Sequence, residues 1–283
     1  MDRVEGLSGR VDAPDHRDGQ AASPTANDGG DATPSPYDAP ELYDLVLEHL
    51  DFDLSFWRDE ARRARGPVLE VGCGTGRVLL RLLAEGIDIE GLDLYPAMLE
   101  RLKQKAAARG LDCRVYAGDM RDFTTPRRYR LVICPFNGFA HNETIDDQLK
   151  TLRCCRERLA SGGAFALHMS YPSAAYWMEK DGEPVLEIEV ANPETGRRLR
   201  MYDTRHRDRV AQLQRSDIEI QELEGDRVVA SHRFRTSQRW MYRFELELLF
   251  RVAGFARWEF YGGFDRTPLK TDTDPMLAVA WRE

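Results

Sequence analysis

Apolar side chains recur with two different periods along this chain, and the changes of period divide it. Leu42, Leu45, Val46, Leu50 and Leu54 follow helical spacing, with Phe56 and Trp57 after them. This predicts a helical N-terminal cap over 37–66, closed by Arg62 to Arg65, where cations suit a helix C-terminus. From 67 to 170, short apolar runs alternate with helical patterns. Strands are predicted near 67–71, 87–92, 112–116, 130–135 and 163–169, and helices near 76–85, 96–109 and 144–159. Thr144 and Asp147 stand as in a capping box, and Gly162 is set to end the last helix. Such alternation implies a parallel sheet with helices on both faces.

Over 185–239 the period falls to two. Leu186, Ile188 and Val190 alternate with Glu187 and Glu189, Ile218 and Ile220 with Asp217 and Glu219, and Val228 to Phe234 repeat the pattern. Asn192-Pro193 and Glu224-Gly225-Asp226 supply turns, so a small antiparallel sheet with one wet face is expected. A helix at 242–254 and strands near 256–261 and 276–282 follow. The expected divisions are a disordered tail over 1–36, the cap over 37–66, a core over 67–170, an antiparallel β insert over 171–240, and the rest of the core over 241–283.

Composition changes this picture mainly at the N-terminus. Residues 1–36 hold almost no large apolar groups and cannot offset their ordering entropy. They carry seven acids and three arginines, half of a net charge of −8. An acidic chain suits non-specific nucleic-acid binding poorly. No apolar run is long enough for a membrane span, and the start has no apolar signal core, so a cytoplasmic location is expected. The five cysteines show no metal-ligand spacing, so no metal is expected. Most read as small core fillers, although Cys154 and Cys155 are adjacent on a helix and only one is expected to face the core.

The chemistry concentrates in Val68-Leu-Glu-Val-Gly-Cys-Gly-Thr-Gly76, an apolar strand running into glycines 72, 74 and 76. Glycine lets a ligand approach the backbone closely. Asp93, ending the second strand, suits a carboxylate that accepts from ribose hydroxyls. Dinucleotide enzymes use G-x-G-x-x-G, whereas Arg77 stands where the third glycine would be and argues against a nicotinamide oxidoreductase. Glu70 puts a negative charge at the mouth of the turn, which favours a cationic ligand over a pyrophosphate.

Five segments in order, over about 66–170, resemble the motifs of class I S-adenosylmethionine-dependent methyltransferases. They are Glu70 to Gly76, Gly91 to Leu99, Ala117 to Phe123, Leu131 to Asn137 and Leu159 to Phe165. The resemblance implies an α/β fold: a seven-stranded Rossmann-like doubly wound sheet, with the antiparallel β insert between the fifth strand and its following helix. It implies S-adenosylmethionine as cofactor, with Glu70, Gly72, Cys73, Gly74 and Gly76 at its methionine part, Asp93 and Leu94 at the ribose, Asp119 and Met120 at the adenine, and Pro135 at the mouth of the fourth strand. In that family such an insert forms a lid or a dimer surface, so a homodimer through the insert is expected.

Methyl transfer needs alignment first, and a base only if the nucleophile arrives protonated. His141, after the fourth strand, is the candidate base. Tyr43 is the second candidate, because the run 42–46 with the His141 loop is similar to the sugar N,N-dimethyltransferases, where a tyrosine and a residue at these places border the acceptor. His168 reads as a sheet residue. Tyr171, Tyr176, Trp177, Trp240, Tyr242, Tyr261 and Phe264 read either as an acceptor pocket under the insert or as ordinary packing. The insert's eleven arginines stand among ten acids, which reads as a solvated face. The expected activity is methylation of N or O of a small molecule. An RNA or protein methyltransferase, or a non-catalytic cofactor-binding protein, is the alternative.

Overall fold

A computed structural model describes residues 33–283. The tail expected over 1–36 therefore lies outside the described residues except for its last four. Strands β1 (Val68–Val71), β2 (Ile89–Asp93), β3 (Val115–Ala117), β4 (Tyr129–Cys134) and β5 (Leu159–Met169) form the parallel part of the main sheet. Strand β6 (Pro184–Ala191), β7 (Arg198–Asp208), β8 (Leu213–Glu224) and β9 (Arg227–Arg239) make a separate antiparallel meander. Then β10 (Arg257–Tyr261) and β11 (Met276–Trp281) complete a seven-stranded sheet of order β10-β11-β5-β4-β1-β2-β3. No helix separates β10 from β11, so β11 returns antiparallel between β10 and β5. The strand order reverses between β1 and β4, and a crevice opens there beyond the carboxyl ends.

The N-terminal cap is broken where a single helical segment was expected. A 3-10 turn (Pro36–Asp38), α1 (Pro40–Leu47) and α2 (Leu54–Ala64) replace it. The chain turns at 48–53 because Asp53 bonds the Trp57 indole and the Arg77 guanidinium. Helices α3 (Leu79–Ala84), α4 (Pro96–Ala108) and α5 (Ile145–Arg158) cover the sheet, followed by a short α6 (Ala174–Met178) and α7 (Arg243–Ala253). Thr144 caps α5 through the Asp147 amide at 3.1 Å. Gly162 does not end that helix. It sits at φ 69° inside β5, where the register against β4 shifts and the extra residues must bulge. Cys154 and Cys155 are both buried, because α5 packs against the sheet on one side and against Phe123 on the other.

The meander has one wet face, as expected, and its apolar end is covered by α1. Val46 packs there with Leu199, Ile220 and Phe234 in a small core of its own. Among the described residues no helix is long and apolar enough to cross a membrane.

Candidate functional site

The glycine turn joins β1 to α3 at the reversal point. Gly72 and Gly74 take φ of 70° and 54°, conformations open to glycine at little cost, and both lie at the surface of the turn. Gly76 serves packing instead. A Cβ there would stand 2.9 Å from Leu80 and Leu102 carbons. Cys73 and Pro135 are likewise buried, and the Cys73 sulfur closes on Gly91, where a Cβ would come within 2.7 Å.

Asp93 holds the turn from the end of β2. Its Oδ2 accepts from the Gly74 amide at 2.7 Å and its Oδ1 from the Tyr95 amide at 2.9 Å. Burial pushes its carboxyl up, and these amides oppose the shift. A carboxylate has about four acceptor sites, so Asp93 keeps capacity for further donors. Leu94 beside it is 55% exposed. Glu70 is buried under the same turn, and its Oε2 has no hydrogen-bond partner. Burial raises its carboxyl to about 8, against the pull of Arg77.

Arg77, the residue that broke the dinucleotide pattern, is tied to the N-terminal cap. It forms a two-pronged pair with Asp53 at 2.6 and 2.7 Å and bonds the Leu50 carbonyl. Asp119, after β3, is clamped by Arg121 at 2.9 Å. Burial alone would raise its carboxyl, but Arg121 outweighs burial and lowers it. The Met120 side chain lies over the turn, 3.7 Å from where a Gly72 Cβ would stand, and its sulfur receives a bond from Asn142.

His141 and Tyr43 come together through a third residue, Tyr37. The Tyr37 hydroxyl lies 2.7 Å from His141 Nε2, and the two tyrosine rings are 6.0 Å apart. His141 Nδ1 faces the Ser237 carbonyl at 3.1 Å. That oxygen can only accept, so in the neutral ring the hydrogen sits on Nδ1 and Nε2 receives the Tyr37 proton. Burial lowers the His141 pKa, which favours the neutral ring, against the Ser237 carbonyl bond. Burial raises the Tyr43 hydroxyl to about 12, countered by Arg77 and reinforced by Asp93. Tyr37 carries no motif, and its pairing with His141 spans too much sequence for any local pattern to announce it.

The β4 exit shows a further signal that sequence did not give. Phe136 and Asn137 are consecutive non-glycine residues at φ 50° and 60°, a conformation held at a cost. Asn137 is pinned to the end of β5 by its bonds with Ser170 and the His168 carbonyl. His168 itself is buried against Phe264, and burial lowers it to about 4.

Glu70 and Asp93 therefore bring two carboxyl groups to the glycine backbone, and one of them is buried with an unpartnered oxygen. That arrangement fits a cationic nucleoside such as S-adenosylmethionine, with its sulfonium and ammonium. Most of the insert's arginines are paired with carboxylates, for example Arg197 with Glu224 and Arg207 with Asp181. Among the described residues, no group of three or more His, Cys, Asp or Glu side chains could hold a metal ion.

Residues 68–163 match the methyltransferase domain family. Cypemycin N-terminal methyltransferase from a Streptomyces species is 28% identical over 255 residues, which is 88% of this chain and 99% of that protein. The dTDP-3-amino-3,6-dideoxy-alpha-D-glucopyranose N,N-dimethyltransferase of Streptomyces fradiae is 36% identical over 110 residues, 36% of this chain and 41% of that enzyme. Among solved structures, the CcbJ methyltransferase from Streptomyces caelestis aligns with a TM-score of 0.68 at 25% identity, over 82% of this chain and 90% of that one. Residues 68–163 are thus a methyltransferase domain, and the chain is similar over most of its length to S-adenosylmethionine-dependent methyltransferases.

Proposed function

We propose that the enzyme methylates an amine nitrogen of a small molecule. The observation that carries this is the acid–base pair at the sheet edge, in which the Tyr37 hydroxyl lies 2.7 Å from His141 Nε2 and His141 Nδ1 faces the Ser237 carbonyl. Burial lowers the pKa of both imidazoles there, that of His168 to about 4. An amine needs only the proton of its ammonium form removed, a smaller demand on a base than an alcohol makes. The names of the two relatives agree with this, one being an N-terminal methyltransferase and the other an N,N-dimethyltransferase.

S-adenosylmethionine supplies a methyl group that is already activated. In this reading Glu70 and Asp93 meet its positive charge and its ribose, while the Gly72–Gly74 backbone and the Met120 and Asp119 region border the rest. The protein's main contribution is alignment, for which roughly 7–11 kcal/mol is attainable in well-oriented cases. An amine that arrives as an ammonium must lose a proton before its lone pair can attack. Tyr37, which donates to His141 Nε2, retains an oxygen lone pair for an amine N–H. As the amine proton passes to the Tyr37 oxygen, the Tyr37 proton passes to Nε2, and the resulting imidazolium keeps its Nδ1–H bond to Ser237. Tyr43 lines the same wall.

Methyl-labelled cofactor offered to matched amines and alcohols tests the reading, with the product identified by mass spectrometry. N-methyl products are expected. An O-methyl ether as the main product would overturn it. His141→Ala and Tyr37→Phe should each lower kcat on the order of 10²-fold, the lower end for loss of an acid–base group, with cofactor affinity nearly intact. Asp93→Ala should weaken cofactor binding about tenfold or more, as expected for a lost charge-assisted bond.

A further inference from the structure

The inner face of the β insert continues past the His141 site into a groove. Gln214 of β8 stands opposite Gln238 of β9, and the Gln238 amide reaches His141 Nε2 at 3.4 Å. The ladder keeps this register one step beyond the strand, because the Trp240 amide donates to the Gln212 carbonyl at 3.2 Å. Alternate residues of a strand share a face. Trp240 therefore follows Gln238 on the side that faces His141, about 7 Å further along.

A cavity of about 390 Å³ opens at that point, lined by Trp177, Arg209, Val210, Gln212, Trp240 and Tyr242. The two indoles meet edge-to-face at 5.1 Å. The Arg209 guanidinium stands 5.3 Å over the Trp177 ring and has no carboxylate partner among the described residues. Arg207, two residues earlier in β7, is by contrast paired with Glu179 and Asp181. Tyr176 joins the groove to the site, since its hydroxyl donates to Gln214 at 2.6 Å and its ring packs on Trp177 at 4.8 Å.

Resting on the amine-methylation reading, we infer that this groove holds the far end of the methyl acceptor, an aromatic ring bearing an anionic group, while its amine meets Tyr37 and His141. Trp177, half-buried, supplies an apolar wall for the ring beside the nearly buried Trp240. Arg209 supplies the unpaired positive charge, in a position to reach an anion at the ring's edge. The acceptor class is then an amine joined by a short spacer to an aromatic acid. A small aliphatic amine would leave the groove unused.

The test uses the full chain loaded with S-adenosylhomocysteine and titrated with 8-anilinonaphthalene-1-sulfonate, a ring-plus-anion probe whose fluorescence rises in apolar surroundings. Trp177→Ala should raise its Kd about tenfold and Arg209→Ala several-fold, with S-adenosylhomocysteine affinity unchanged in both. Trp177→Phe should restore most of the binding. The probe should also inhibit methyl transfer competitively against the amine. Unchanged probe affinity in both variants would overturn the inference, and so would inhibition that does not compete with the amine. Failure of the amine reading looks different: no N-methyl product forms, while the probe still maps to Trp177 and Arg209.

Discussion

Glu70 is a buried carboxyl with an unpartnered Oε2, at the place where the proposed function sets the cofactor's positive charge. Its carboxyl is raised to about 8, so at pH 7 the ligand-free protein holds it mostly protonated. A cation beside the unpartnered Oε2 favours the ionised form. Cofactor binding at pH 7 should therefore release close to one proton from this group, falling toward none about two units above its pKa. Calorimetry in two buffers of different ionisation enthalpy reads this directly. The apparent binding enthalpies should diverge at pH 7, converge near pH 10, and show no divergence in Glu70→Gln. Stability carries the same signature. The folded pKa lies above an unfolded value of about 4.3, so the contribution of Glu70 is fully present below that value and is lost as pH rises through about 8. Without cofactor, Glu70→Gln should melt at a higher temperature than the parent at pH 9, by more than it does at pH 5. An equal difference at both pH values would remove Glu70 as the titrating group.

At the scale of elements, one ion pair fastens the N-terminal cap to the glycine turn. Asp53 is fully buried, and Arg77 from the turn is its cationic partner, with the Trp57 indole as a further donor. Removing one partner of such a pair strands the other charge. Arg77→Ala should cost about 3–5 kcal/mol, read as a lowered urea midpoint. Arg77→Ala with Asp53→Asn should recover part of that loss, and a double variant no better than the single would refute the pairing argument. The same pair shows what sequence could and could not disclose. The order of strands and helices from 67 to 170 was legible because buried strands and amphipathic helices impose their periods locally. So was the glycine turn, because its backbone needs positive φ at fixed spacing. The break in the cap was hidden, because Asp53 turns the chain for a partner 24 residues away. Tyr37 was hidden for the same reason, being 104 residues from His141. The left-handed pair Phe136 and Asn137 carries no glycine to mark it, and its conformation depends on Asn137 reaching Ser170 across the sheet edge.

The molecule as a whole consists of a large doubly wound sheet and a roof, and the roof has its own small core. One inner face of the meander serves three purposes along its length. Leu199, Ile220 and Phe234 meet Val46 of α1 at one end, Ser237 and Gln238 meet His141 in the middle, and Trp240 walls the groove at the other. The wider sheet contributes nothing to the apolar end, so its packing rests on α1 and the meander alone. The N-terminal strand of chain is tied in as well, through the Arg235 amide to the Pro34 carbonyl at 2.9 Å. Loosening the apolar end should then disturb the roof without unfolding the floor. Phe234→Ala should cost about 3–5 kcal/mol locally, the usual range for a buried phenylalanine. Hydrogen exchange should speed up across β6 to β9 and α1, while β1 and β4 keep their protection. On the proposed reading the turn that would face the cofactor belongs to the floor and Gln238 to the roof, so KM for the amine should rise while S-adenosylhomocysteine affinity changes little. Loss of protection spread evenly over both sheets would show that roof and floor unfold as one cooperative unit, and the division of binding between them would fail with it.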